Sequence, residues 1–73
     1  MKEICWMIRA VSPDGTISSL MCTNETVARM EAGWMTVDTG EAVQGIELTR
    51  DGGDWERTGN TFVTEPQMEG AGV

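Results

Sequence analysis

Near its start the chain runs through β-forming residues almost without interruption. Ile4 to Val11 reads Ile-Cys-Trp-Met-Ile-Arg-Ala-Val, and after Ser12-Pro13-Asp14-Gly15 a second such run extends from Thr16 to Cys22. Proline at the second turn position presets its φ, and glycine at the fourth accepts a left-handed backbone. Together they predict a three-residue hairpin loop with a bulge at Gly15. That loop sets Ser12 opposite Thr16, so Ile8 faces Leu20, Trp6 faces Cys22 and Cys5 faces Thr23. A two-residue loop would oppose Cys5 to Cys22 but leave Ile8 against Ser19. The bulged register pairs large apolar residues more consistently, and it leaves both cysteines free as small buried hydrophobes.

Alternation then puts Ile4, Trp6, Ile8, Ala10, Leu20 and Cys22 on one face of the hairpin. Cys5, Met7, Val11, Ile17 and Met21 share the other with Arg9. A sheet with one wet side alternates apolar with polar positions. Here both faces call for cover.

A short helix is the predicted cover for one of them. Thr23 or Asn24 can cap it, and Glu25 suits its first turn. Thr26 to Ala32 carry Val27 and Met30 three apart, Trp34 extends that stripe, and Gly33 is a natural stop. Arg29 and Glu31 are expected to point away. Two to three turns cannot stand alone, so the stripe is expected to pack on the sheet.

Beyond it, Trp34 to Val37 reads as a strand and Asp38-Thr39-Gly40-Glu41 as a turn. Ala42 to Arg50 reads as the next strand, with a bulge at Gly45 to bring Val43 into phase with Ile46. Asp51-Gly52-Gly53-Asp54 is a second turn, and Thr58-Gly59-Asn60 between Asp54–Arg57 and Thr61–Thr64 signals a third hairpin. The pattern predicts one α+β domain over residues 1–64, a small antiparallel sheet in ββαβββ order with one short helix on a face. A small, partly open β-barrel plugged by the helix is the alternative. Residues 65–73 hold little to bury and are expected to be a flexible tail.

Seventy-three residues allow one domain at most, and a core of this size is marginal without a partner. The chain has no His, no Tyr and a single Lys. Ser-His and Cys-His nucleophile pairs therefore cannot be built. Two cysteines seventeen positions apart do not make a zinc site, and no phosphate-cradling glycine loop precedes a helix. No enzyme activity, metal or cofactor is expected. There is no apolar run near the ~20 residues of a membrane span. The charged Lys2-Glu3 opening and Arg9 in the apolar run after it do not fit a signal peptide. With free thiols, a cytoplasmic protein is the expectation.

Charge adds the main functional hint. Twelve acids against five bases leave a formal charge of −7. Residues 1–40 hold five acids and three bases, whereas residues 41–73 hold seven acids and two bases. Asp51, Asp54 and Glu56 surround Trp55 near one turn, with Glu47 in the preceding strand. Aromatic anchors recur in binding hot spots, and acids steer a protein toward basic surfaces. Asp51, Asp54, Trp55, Glu56 and Glu47 are thus the candidate partner-binding residues, against the plainer reading of a solvated acidic turn.

The expected function is that of a small non-enzymatic interaction protein that binds and blocks a basic surface of a larger protein. In size and charge it resembles the short acidic inhibitors made by mobile genetic elements against nucleases and CRISPR effectors. That likeness is of size and charge, not of motif. No direct nucleic-acid or membrane contact is expected. The alternative is a structural or accessory subunit, a homodimer formed through the second hairpin face at Met7, Val11, Ile17 and Met21.

Overall fold

The computed structural model describes residues 1–66. Strands β1 (Glu3–Val11) and β2 (Ile17–Cys22) form the first hairpin, helix α1 (Glu25–Thr39) follows, and β3 (Val43–Arg50) and β4 (Glu56–Thr64) complete the fold. The strands make one open antiparallel sheet in the order β2-β1-β3-β4. The fold is a small α+β domain, and the open sheet sets the barrel alternative aside. The predicted tail lies mostly outside the described residues, at 67–73.

The first hairpin has the bulged register. Trp6 pairs with Cys22, Ile8 with Leu20 and Val11 with Ile17. The Ser12 amide donates to Thr16 O at 2.8 Å and the Gly15 amide to Ser12 O at 2.9 Å, with Gly15 at φ 88°. Cys5 and Cys22 are free and buried. They lie on opposite faces of the sheet, so no side-chain movement could join them.

The helix departs from expectation in length and in the face it buries. It runs through Gly33 to Thr39, absorbs the predicted strand Trp34–Val37, and leaves four strands in ββαββ order. Asn24 caps its start, its Oδ1 accepting from the Val27 amide at 2.9 Å. Gly40 ends it at φ 71°, its amide donating to Thr36 O. Of the two glycines that could stop the helix, only the second takes the left-handed cap. The stripe that meets the sheet is Ala28, Ala32 and Thr36, one turn apart each time, with Val27 and Met35 at its margins. Met30 and Trp34, predicted to pack, are exposed instead. Their positions relative to Ala28 and Ala32 turn them to the far side of the helix. Arg29, predicted to point away, ion-pairs with Glu25 at 2.8 Å and lays its guanidinium 4.5 Å over the Phe62 ring.

The core lies between α1 and one sheet face: Trp6, Ile8, Ala10, Cys22, Val43 and Phe62 against Ala28 and Ala32. Trp6 and Phe62 meet with ring centroids 5.4 Å apart. Gly45, opposite both Ile8 and Phe62, lets the Phe62 ring lie on the β3 backbone; a Cβ there would come within 2.2 Å of Phe62 Cε2. That close approach, and not a bulge, is what the glycine serves. The register shift falls between Ile46 and Leu48 instead. Its extra residues lie on β4, which runs unbroken through Thr58-Gly59-Asn60 with Gly59 at φ 102°. The predicted third hairpin is therefore a bulge within one strand.

Candidate functional site

Asp51, Asp54, Trp55 and Glu56 come together at the end of the sheet where Glu3 pairs with Arg50, in the loop from β3 into β4. Three residues of one short loop and Glu56 at the start of β4 have no alternative, and Gly52 at φ 77° makes the bend. Asp51, Asp54 and Glu56 are exposed. The Asp51 carboxylate accepts from the Met1 ammonium at 3.2 Å. Among the described residues no three Cys, Asp or Glu side chains converge in a metal-binding group.

Trp55 is half-buried, because the Arg50 guanidinium lies 4.5 Å above its ring. Arg50 also holds Glu3 in an ion pair, and its hydrogen bond keeps the Glu3 carboxyl below the usual carboxylate range. Lys2 and Arg50 line the same shallow depression as Asp51, Asp54 and Glu56. The loop is thus acidic at its rim and mixed in charge at its floor. One face of the predicted aromatic anchor is already occupied.

Glu47 belongs elsewhere. It pairs with Trp6, so it stands on the helix-bearing face, whereas Arg50 stands on the other. Its carboxylate accepts from the Thr58 hydroxyl at 2.7 Å and from Asn60 Nδ2 at 2.9 Å, which holds its pKa below the usual value. It ties down the β4 bulge.

The four residues of the second hairpin face share a surface. Met7 pairs with Met21 and Val11 with Ile17, and on β3 the same face continues through Ile46 and Leu48. Among the described residues no element covers it. Exposure rises across it from the centre outward: Ile46 is 2 % exposed and Cys5 8 %, but Met21 is 51 % and Ile17 56 %. Burial raises the Cys5 and Cys22 thiols above their ordinary pKa, the direction that disfavours the thiolate.

The outer side of α1 is a surface the sequence reading missed. Met30, Trp34 and Val37 are 56 %, 63 % and 75 % exposed. They stand at i, i+4 and i+7 and so form one stripe. A depression of about 740 Å³ opens beside Val37, between Gly33 of α1 and its cap Gly40 on one side and Thr64, at the end of β4, and Pro66 on the other. The signal that locates this stripe is the competing set of small residues at 28, 32 and 36. A helix lying close to a sheet buries its small side, and the large side is then left outside.

Compared with family models, curated proteins and solved structures, the chain matches none. Among the described residues no helix is long and apolar enough to cross a membrane.

Proposed function

We propose that this protein is a non-enzymatic interaction protein that binds and blocks a basic surface on a larger protein. The outer stripe of α1 supplies the apolar anchor, and the acids of the β3–β4 loop supply steering charge. The observation that carries this reading is the exposure of Met30, Trp34 and Val37 along one helix face. A helix that only had to fold would turn polar residues to water. Tryptophan is enriched in binding hot spots, and a helix laid in a groove is a recurrent way to present one. The anchor therefore moves from Trp55, which Arg50 already caps, to Trp34. The net charge of −7 supports a basic target. Nucleic-acid-handling enzymes present such surfaces in their substrate channels, which is the support for a nuclease or CRISPR effector as the target class.

The test is affinity capture by the full chain, with Trp34→Ala and the charge reversal Asp51→Lys/Asp54→Lys/Glu56→Lys alongside. The wild type is expected to retain a protein with a basic surface and release it at ~0.5–1 M salt. Trp34→Ala is expected to lose it through a faster off-rate, and the charge reversal to slow its association. Equal retention by all three chains would overturn the reading.

A further inference from the structure

The two edges of the sheet are not alike. On β4 the edge carries Glu56 and Arg57 and is bent by a bulge at Thr58 to Asn60. Charges and bulges are the usual means by which proteins stop strands from pairing at an edge. Strand β2 has neither. Ile17-Ser18-Ser19-Leu20-Met21-Cys22 contains no Asp, Glu, Lys, Arg or Pro, and its ladder with β1 is regular from end to end. It also exposes large apolar side chains on both faces, Leu20 at 42 % on the helix side and Ile17 and Met21 at more than half on the other. Among the described residues nothing pairs with its outer side.

The direction of its free backbone groups follows from the turn. In an antiparallel ladder, opposed residues alternate between bonded and non-bonded pairs. The Ser12 amide bonds Thr16 O, so Ser12 and Thr16 are a bonded pair. Counting by twos, Ser18, Leu20 and Cys22 bond inward to β1. Ile17, Ser19 and Met21 turn their N–H and C=O groups outward.

We propose that β2 pairs with β2 of a second copy of this chain, antiparallel about a two-fold axis at Ser19, to make one continuous eight-stranded sheet. This is the only two-fold register that uses all three outward-facing residues. Ile17 then opposes the partner's Met21, Ser19 opposes the partner's Ser19, and about six main-chain hydrogen bonds form, two at each bonded pair. On the bare face an apolar row runs across four strands: Met7, Met21, the partner's Ile17 and the partner's Val11. The two-fold repeats it in reverse. Pairing at an edge draws its affinity from main-chain bonds and its specificity from such rows. Charge favours the place: each chain carries −7, and β2 is the edge strand that has no charged side chain of its own, whereas β4 carries Glu56 and Arg57. This differs from stacking two sheets face to face, which would leave the β2 edge unbonded. It is independent of the acidic-target reading above.

The test is light scattering on a sizing column across concentration, with amide exchange on the same samples. The full chain is expected to have twice the chain mass at ~100 μM, and to dimerise more tightly as salt screens the like charges. Binding of a basic partner responds to salt in the opposite sense. Ser19→Lys, at an exposed position, puts two cations beside the axis and is expected to weaken the dimer at least ~tenfold. Thr61→Lys on β4 is expected to leave it intact. The Ile17, Ser19 and Met21 amides are expected to be protected in the dimer and to exchange freely on dilution, while those of Ser18, Leu20 and Cys22 stay protected in both. This exchange pattern stands even where a variant folds poorly. A wild type monomeric at ~1 mM, a Ser19→Lys chain that dimerises as tightly, or a dimer in which Ile17, Ser19 and Met21 exchange freely would each overturn the proposal.

Discussion

The side of α1 that meets the sheet carries Ala28, Ala32 and Thr36, whereas the side that meets solvent carries Met30, Trp34 and Val37. In an amphipathic helix the larger apolar residues face inward. Here the sheet fills the space between the layers: Trp6, Ile8 and Phe62 reach up from it, and Phe62 is seated on Gly45. Little room is left beneath the helix, so alanine fits and tryptophan does not. The one inward polar group is satisfied locally, the Thr36 hydroxyl donating to Ala32 O at 2.8 Å and lying 3.1 Å from the Thr64 hydroxyl. The inner side of α1 therefore holds the fold together. The outer side adds little to it and is free for another task.

This contrast can be broken most forcefully at the ring that fills the interlayer space. Phe62→Ala removes the partner of Trp6 and the seat of Arg29, and is expected to cost about 3–5 kcal/mol of unfolding free energy, enough to unfold much of a chain this small. Urea titration measures it. The reverse error, adding volume beneath the helix, is expected to cost about 1–3 kcal/mol. Gly45→Ala places a methyl 2.2 Å from Phe62 Cε2, on a ring already packed against Trp6 and Arg29. Its urea midpoint should fall with an unchanged m-value.

A smaller effect of opposite sign is expected at Gly33. It lies in the helix interior with nothing within 4 Å of where a Cβ would sit. Gly33→Ala should stabilise the protein by about 0.5–1 kcal/mol, chiefly by restricting the unfolded chain. A destabilised variant in thermal unfolding would mean that Gly33 has a packing role the geometry does not contain.

Gly33 also marks where the sequence was hard to read. The first hairpin was legible in full because Pro13 and Gly15 specify the turn, and the turn specifies every pair up to Trp6 and Cys22. The helix start was legible because Asn24 and Glu25 carry local capping chemistry. Its end was not, since Gly33 and Gly40 are equally good stops by composition, and Trp34 to Val37 have strand propensity taken alone. Only packing decides: Thr36 must continue the stripe of Ala28 and Ala32. The same holds at Gly59, where a turn signature sits inside a strand long enough to absorb it as a bulge.

Of the candidate site, the grouping of Asp51, Asp54, Trp55 and Glu56 was legible because the residues are adjacent. The stacking of Arg50 on Trp55 and the hydrogen bonds from Thr58 and Asn60 to Glu47 were not. The first depends on the path of the loop between β3 and β4 and the second on the β4 bulge, and no local motif announces either. The exposure of Trp34 was hidden for a different reason. Hydrophobicity ranks tryptophan inward, and the limited depth of the interlayer space is a property of the whole fold.

The measurement that tests the central claim most directly is the unfolding free energy of Trp34→Ala, taken in urea beside the wild type and Phe62→Ala. If the outer side of α1 is not needed for folding, the Trp34 variant will stay within about 0.5 kcal/mol of the wild type, as substitutions at exposed positions do. A loss of about 3 kcal/mol or more, the cost of truncating an aromatic in a core, would show that Trp34 is structural and would contradict the account.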